Sequence, residues 1–338
     1  MIRAQKKPLS SQGLESEGEN SQSLNLEPVV SQVFHRPLQD FFAQAEQVIL
    51  GKPEQLKLAL CTLLARGHLL IEDLPGVGKT TLVKLLAHSL GLKSSRIQFT
   101  NDLLPADIVG TSIYSPAKAE FSFHPGPIFA QLVIADELNR ATPKTQSACL
   151  QAMEERKVTV DGGTYSLPDP FFVVATQNPR EQMGTYPLPE SQLDRFLMRI
   201  EMGYPDAEAE RALLLGRRRE LLLEELSVVI EPQLLLQMQE VVEHILVAEP
   251  IVDYIQKLLH RSRQLGGEVR GLSPRAGLAL MRASRAWALL EGRAYVLPED
   301  VQAIAVTVMS HRLNGGVHMG SQEGQILARQ ILESVSVD

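Results

Sequence analysis

The sequence predicts an α/β domain built on a parallel sheet, followed by a second domain made only of helices. Three observations support this fold class. Short apolar runs that end in polar residues alternate with helix-patterned segments up to about residue 202. A glycine-rich turn directly follows the first of these runs. From about residue 203 onward only helical periodicity remains, so we place a domain boundary there.

Length and composition agree with this organisation. The 338 residues suffice for two domains, and the hydrophobic fraction of 44% is that of a globular protein. Apolar runs stay shorter than the roughly 18 residues of a membrane span, and the start of the chain lacks the apolar core of a secretion signal, so we expect a cytoplasmic protein. The formal net charge of −7 argues against a protein whose main task is binding nucleic acid. Cys61 and Cys149 lie in apolar helical patterns and are expected to act as small hydrophobes.

Residues 1–30 are predicted to be a disordered tail, because they are rich in Ser, Gln, Glu and Asn and carry few large apolar groups. Helical spacing of apolar residues then extends from Phe34 to Leu64, with a break at Gly51-Lys52-Pro53. Two helices are therefore expected before the first strand.

A phosphate-binding loop is predicted within residues 69–82. An apolar strand leads into glycines that end in Lys79-Thr80, and a helix follows. Backbone N–H groups of such a loop, together with the helix N-terminus, face an anion. Lys79 is expected to reach the β- and γ-phosphates of ATP, and the Thr80 hydroxyl to hold Mg²⁺. The predicted nucleotide-contacting residues are Asp73, Pro75, Gly76, Val77, Gly78, Lys79, Thr80 and Thr81.

Two alternatives stay open around this loop. Asp73 stands where the general pattern has its first glycine, so a glycine-rich turn that binds nothing is the competing interpretation. The turn at residues 48–51, just before the second helix, either packs on a nucleotide base or is an ordinary connection between helices.

A second site motif follows a short strand at 96–99 and a turn-rich insertion at 110–127. The apolar run 132–135 leads into Asp136 and Glu137, as expected for a buried parallel strand that opens on a ligand crevice. We expect Asp136 to hold Mg²⁺ through water and Glu137 to orient and deprotonate an attacking water.

The third motif follows a helix at 144–156 and a hairpin at 158–167, whose turn is Asp161-Gly162. The apolar run 171–176 then delivers Asn178 to the same crevice, where its amide can align the water with Glu137. The alternative for Asn178 is a turn residue before Pro179.

Two arginines lie outside these motifs. Arg195 belongs to a short helix before the last strand at 196–200, and residue-level reasoning leaves it as a surface ion-pair partner. Arg275 occupies the first turn of a helix, where its charge opposes the helix dipole. A nearby anion, or an acidic neighbour at a solvated site, would account for it. The helices of this second domain are expected to begin at Pro205 (running to Leu226), Pro232, Pro250, Pro274 and Pro298.

Taken together, these motifs resemble the MoxR-type AAA+ ATPases over about residues 40–335. The resemblance rests on residues 74–80, 136–146, 175–179, 194–196 and 273–276. It implies a P-loop AAA+ αβα nucleotide-binding domain with a parallel sheet at 31–202 and an all-helical lid domain at 203–338. The insertion at 110–127 corresponds to a helix-2 insert and the hairpin at 158–167 to a pre-sensor hairpin, both of which engage the client in relatives.

The resemblance also implies roles and partners. Lys79 and Thr80 match Walker A, Asp136 and Glu137 match Walker B, and Asn178 matches sensor 1. Arg195 matches the arginine finger that reaches the neighbouring subunit's ATP, and Arg275 matches sensor 2 of the lid. Such chains form rings, usually hexamers, and resemble chaperones that mature a partner complex, commonly with a von Willebrand A-type or DUF58-type protein.

Three functions are compatible with these expectations. The first is a ring ATPase that remodels a protein client. The second is a nucleotide-gated scaffold with little turnover. The third is a DNA-acting AAA+ protein, which the acidic balance and the lack of a recognisable DNA-binding module disfavour.

Overall fold

The structure is a computed structural model that describes residues 26–116, 119–178, 184–216, 218–266, 271–313 and 321–337. A widened helical turn, Val29–Phe34, leads directly into α1 (His35–Val48), and α2 (Pro53–Leu64) follows. The helical part begins earlier than the predicted tail boundary at residue 30, because the Val30 side chain is fully buried. Most of the predicted tail, residues 1–25, lies outside the described residues.

The remainder of the first domain, from β1 to β9, combines a parallel sheet, two hairpins and four further helices. Its elements are, in chain order, β1 (Leu69–Glu72), α3 (Lys79–Ser89), β2 (Ser94–Gln98), α4 (Pro105–Val109), β3 (Gly110–Ser115), β4 (Glu120–Pro125), β5 (Leu132–Asp136), α5 (Pro143–Glu155), β6 (Lys157–Val160), β7 (Gly163–Ser166), β8 (Phe172–Gln177), α6 (Glu190–Leu193) and β9 (Met198–Ile200).

The five-stranded sheet has the order β2-β5-β8-β1-β9, and all its neighbours are parallel. Successive residues of a strand alternate between the two faces of the sheet. Thus Leu69 and Ile71 join the core beneath α1, α2 and α3, whereas Leu70 joins the core beneath α5. Both faces are covered, which explains the continuous apolar runs of these strands. The predicted αβα architecture is confirmed.

The two hairpins lie outside this sheet and contact each other. β3 pairs with β4 and β6 pairs with β7, both antiparallel. The rings of Phe123 and Tyr165 stack with their centroids 3.9 Å apart, which joins the two hairpins. The insertion that the sequence predicted as turn-rich is therefore an ordered hairpin in its described part.

The second domain is entirely helical in the described residues. Its helices are α7 (Ala207–Leu215), α8 (Arg219–Glu224), α9 (Pro232–His244), α10 (Glu249–Arg263), α11 (Pro274–Leu290), α12 (Pro298–Met309) and α13 (Ser321–Glu333).

The helices of this second domain differ from the sequence prediction in two places. The single helix expected to run to Leu226 is two helices, because Gly216 takes an extended conformation (φ −82°, ψ 178°) and ends α7. α13 has no proline in its first turn and was not predicted. None of the helices in the described part of the chain is long and apolar enough to cross a membrane. Cys61 and Cys149 are free and buried, as expected of small hydrophobes.

Two histidines are buried in uncharged form. His68 Nδ1 accepts a hydrogen bond from the Val173 N–H at 3.1 Å, and Nε2 lies 3.2 Å from the Met153 carbonyl oxygen. Burial lowers the pKa of His68 to about 4. Burial, followed by the nearby Arg312 and Arg199 charges, also lowers the pKa of His311 well below its usual value.

Because these histidines are buried, we expect the folded protein to lose stability at acidic pH. Between pH 6.5, the usual histidine pKa, and about pH 4, the unfolded chain binds protons that the folded chain excludes. The free energy of unfolding therefore decreases as the pH falls through this range. Each histidine contributes up to about 1.4 kcal/mol per pH unit. Urea unfolding at several pH values should give a shallower pH dependence for His68→Asn than for wild type. His88→Asn, at an exposed position on α3, serves as the control, and identical pH slopes for wild type and His68→Asn would contradict the assignment.

Candidate functional site

The parallel sheet brings the predicted motifs to one edge. β1 ends just before Asp73, β5 ends at Asp136, and β8 ends one residue before Asn178. Their register places Ile71 beside Thr176 and Ala135 beside Ala175. The phosphate loop, the paired carboxylates and Asn178 therefore all lie at the carboxyl edge of the sheet, which is the usual ligand crevice of such folds. Asn178 is half-buried, and the residues that follow it, 179–183, are outside the described residues.

The loop has the geometry of an anion cradle. Gly76 and Gly78 have φ of +85° and +91°, a backbone conformation that glycine adopts without strain. A Cβ atom built on either glycine meets nothing within 4 Å, so the loop faces open space. Gly78 directly precedes α3, whose first two residues are Lys79 and Thr80. Lys79 Nζ donates to the Asp73 carbonyl oxygen at 2.7 Å. The loop residues therefore fit a bound polyphosphate.

Asp136 is held between two side chains that the sequence did not single out. Thr176 Oγ1 donates to Asp136 Oδ1 at 2.5 Å. Arg96 donates to Asp136 Oδ2 from Nε at 3.1 Å and from Nη2 at 2.5 Å. A carboxylate offers about four acceptor sites, so these three donors leave capacity for a metal-bound water. The donor set of Thr80 and Asp136 therefore fits Mg²⁺, a hard cation that retains several waters.

Glu137 occupies a backbone conformation that non-glycine residues rarely adopt. Its φ is +56°, in the left-handed region, and its N–H donates to Thr176 Oγ1 at 2.9 Å. This backbone turns the side chain toward Gln98 and Arg140, which reach Glu137 Oε2 at 2.8 Å and 3.1 Å. Strain of this kind clusters at functional sites. Both of these contacts are made with Oε2 of the Glu137 carboxylate.

Thr176 connects these two residues through one hydroxyl, which donates to the Asp136 carboxylate and accepts from the Glu137 backbone N–H. The sequence signal that could have identified Thr176 is a hydroxyl residue at the end of an apolar strand. The contacts of Arg96 and Gln98 could not be predicted, because they depend on the pairing of Gln98 with Asp136 in the sheet, which no local sequence pattern indicates.

Arg195 and Arg275 meet at a different place. Arg195 Nη2 lies 3.1 Å from Glu154 Oε2, and Arg275 Nη2 lies 2.5 Å from Glu154 Oε1. The hydrogen bond from Arg275, followed by the Arg195 charge, lowers the pKa of the Glu154 carboxyl against the opposing effect of burial. One carboxylate thus holds both arginines.

This cluster lies at the amino edge of the sheet. Glu154 is next to Met153, whose carbonyl contacts His68, the residue before β1. Arg195 is two residues before Leu197, whose N–H donates to the His68 carbonyl at 2.8 Å. β1 has four residues, which span about 13 Å, between this edge and the phosphate loop. The structure therefore does not bring Arg275 to the phosphate loop of its own chain.

A buried arginine of the lid fixes the same cluster. Arg312 Nε donates to Asp194 Oδ1 at 2.7 Å, and Arg312 Nη2 donates to the Phe196 carbonyl at 2.6 Å. The other Asp194 oxygen lies 3.8 Å from Arg275 Nη1. Asp194 and Phe196 flank Arg195, so the lid holds the segment that carries Arg195. Arg312 belonged to no sequence motif and was not predicted.

The comparisons with known proteins agree with this geometry. Residues 68–198 match the family described as ATPase family associated with various cellular activities (AAA), and residues 269–335 match the AAA lid domain. A crystal structure of a candidate ATPase from Cytophaga hutchinsonii superposes with a TM-score of 0.81 at 32% identity, covering 93% of this chain and 98% of the other.

Relatives that are similar in sequence identify the family more specifically among the AAA ATPases. The uncharacterized protein YeaC of Bacillus subtilis is 46% identical, over 86% of this chain and 92% of its own length. Chaperone MoxR1 of Mycobacterium tuberculosis is 42% identical, over 80% and 74%. Protein MoxR of Methylorubrum extorquens is 32% identical, over 81% and 86%. The chain therefore belongs to the MoxR-type AAA+ ATPases.

Proposed function

We propose that this ATPase works as a ring, a hexamer by family resemblance, in which each nucleotide is bound by one subunit and completed by Arg195 and Arg275 of the next. The observation that carries this proposal is the pairing of both arginines with Glu154 at the sheet edge opposite the phosphate loop. Guanidinium groups at that edge can serve the nucleotide of an adjacent subunit. Arg275 then acts across the interface, rather than on its own chain's ATP as a lid residue.

The chemistry follows from the crevice residues. Lys79 and the loop N–H groups hold the β- and γ-phosphates, and Glu137 accepts the proton of the attacking water, which Asn178 aligns. Gln98 and Arg140 contact Oε2 of the Glu137 carboxylate. The Thr80 hydroxyl and the Asp136 carboxylate, the latter through water, would hold Mg²⁺, which would neutralise phosphate charge when bound. The arginines of the neighbour stabilise the charge that develops in the transition state.

We further propose that the ring remodels a cytoplasmic protein client, because the relative MoxR1 is named a chaperone. The two stacked hairpins offer a contact surface, since Tyr114 and Phe121 at the first hairpin are 49% and 73% exposed. A von Willebrand A-type or DUF58-type protein is the client class that the family resemblance favours. A scaffold with little turnover and a DNA-acting protein are the alternatives.

Turnover should depend on Glu137 and on assembly. Glu137→Gln should lower the ATP turnover rate about 10²- to 10⁴-fold and preserve nucleotide binding, because the amide cannot act as a base. In wild type, the rate per subunit should rise with protein concentration as rings form. Turnover that is equally low in wild type and Glu137→Gln would favour the scaffold function, and a rate per subunit independent of concentration would contradict the dependence on assembly.

Mixing experiments test whether the two arginines act in trans. Arg195→Ala should bind nucleotide yet lose about 10³- to 10⁵-fold in turnover, and Arg275→Ala should also be impaired. Lys79→Ala should lose nucleotide binding but retain both arginines. A mixture of Lys79→Ala with Arg195→Ala, or with Arg275→Ala, should hydrolyse ATP faster than either variant alone. If only the Arg195 mixture recovers activity, Arg275 acts within its own chain.

The client can be tested by capture. Glu137→Gln with ATP should hold a protein client that wild type with ADP releases, and a purified von Willebrand A-type or DUF58-type protein should bind in the same nucleotide-dependent manner. Tyr114→Ser together with Phe121→Ser should weaken this binding while ATP turnover is retained. Salt-sensitive binding of DNA in place of a protein would support the DNA-acting alternative.

A further inference from the structure

Asp73 departs from the usual phosphate loop, which has glycine at its position. Its carboxylate accepts two backbone hydrogen bonds. Oδ1 accepts a hydrogen bond from the Leu74 N–H at 2.7 Å, and Oδ2 accepts one from the Gly203 N–H at 2.6 Å. The residue is only 9% exposed. Burying a carboxylate is costly unless its oxygens accept hydrogen bonds, and these two N–H donors supply one to each oxygen.

Gly203 belongs to the linker, which we define as residues 201–206 between β9 and α7. Its φ of +61° is a conformation that glycine adopts without strain. The next residue is held separately, because Lys52 Nζ donates to the Tyr204 carbonyl at 2.7 Å. The linker is thus attached to the phosphate loop through Asp73 and to the turn before α2 through Lys52.

The backbone of Asp73 contacts the nucleotide-binding groups. Its N–H donates to the Gln177 carbonyl at 3.1 Å, next to Asn178. Its carbonyl accepts from Lys79 Nζ at 2.7 Å. Lys79 is the cation that a triphosphate attracts, so binding of the triphosphate draws the ammonium toward the phosphates and changes the contacts of Asp73. Asp73 therefore contacts the predicted phosphate-binding lysine, the last residue of β8 and the linker.

We propose that Asp73 is a positioning residue that couples the phosphate loop to the core–lid linker. When nucleotide draws Lys79 away from the Asp73 carbonyl, the Asp73 carboxylate transmits the change to Gly203, at the point where the lid domain begins. Glycine at position 73 forms the loop but lacks this connection. The inference rests on the proposed nucleotide site and concerns how its occupancy reaches the lid.

Hydrogen exchange on the full chain tests the coupling. Exchange of peptides spanning residues 201–206 is measured by mass spectrometry without nucleotide, with ADP and with a non-hydrolysable ATP analogue, and the analogue's Kd is measured in parallel. In wild type, the linker should be protected and its exchange should change with nucleotide. In Asp73→Ala, linker exchange should be faster by on the order of ten- to a hundred-fold and should no longer respond to nucleotide.

Matched variants separate coupling from simple loosening. Lys52→Met removes the second attachment and should also speed linker exchange, but its nucleotide response should persist. Asp73→Asn keeps one acceptor oxygen and should give an intermediate response. Asp161→Asn, at the exposed tip of the second hairpin, should behave as wild type.

The outcomes are distinguishable. A nucleotide response that survives in Asp73→Ala, or is lost equally in Lys52→Met, would overturn the coupling. A wild type that binds nucleotide with no change in linker exchange would overturn it as well, while leaving the proposed ATPase ring intact. Failure of wild type to bind nucleotide at all would overturn both.

Discussion

The parallel direction of all five strands is the constraint on which the rest of the molecule depends. Because every strand runs the same way, the sheet has one edge of carboxyl ends and one edge of amino ends. The first edge carries Asp73, Asp136 and Asn178. The second carries the segment of Arg195 and the end of α5. A single chain therefore holds the predicted phosphate-site residues and the two paired arginines at opposite ends of its own sheet.

Paired carboxylates at the first edge create an electrostatic problem, which Thr176 and Arg96 solve. Thr176 uses one hydroxyl both to donate to Asp136 and to accept from the Glu137 backbone. Arg96 supplies the opposite charge. These contacts fix Asp136, while Glu137 keeps a strained backbone and a more exposed side chain. Asp136, which is proposed to hold Mg²⁺ through water, is thus held firmly, whereas Glu137, the proposed base, is the more exposed of the two.

Much of this arrangement could be predicted from the sequence. Strand periodicity, the loop ending in Lys79-Thr80 and the Asp-Glu pair predicted both the fold class and the contents of the carboxyl edge. The contacts of Arg96, Thr176 and Arg312 could not be predicted, since they depend on strand register and on how the lid packs. The location of Arg275 also required the three-dimensional structure: local pattern and family resemblance indicated a lid residue near phosphate, and its contact with Glu154 depends on residues more than a hundred positions apart.

The pairing of both arginines with Glu154 also constrains symmetry. In the proposed ring, each subunit would present its amino edge to the carboxyl edge of the next, so the two contacting surfaces would differ and the interface would be heterologous. An open chain of subunits joined in this way would leave the nucleotide site of one end subunit without arginines until the two ends meet. Closure of the proposed ring would complete every site, and the closed assembly would have two chemically different faces. Subunit order around the proposed ring would therefore have a direction, and each lid, through the contact of Arg312 with Asp194, would adjoin the arginine proposed to serve the next nucleotide.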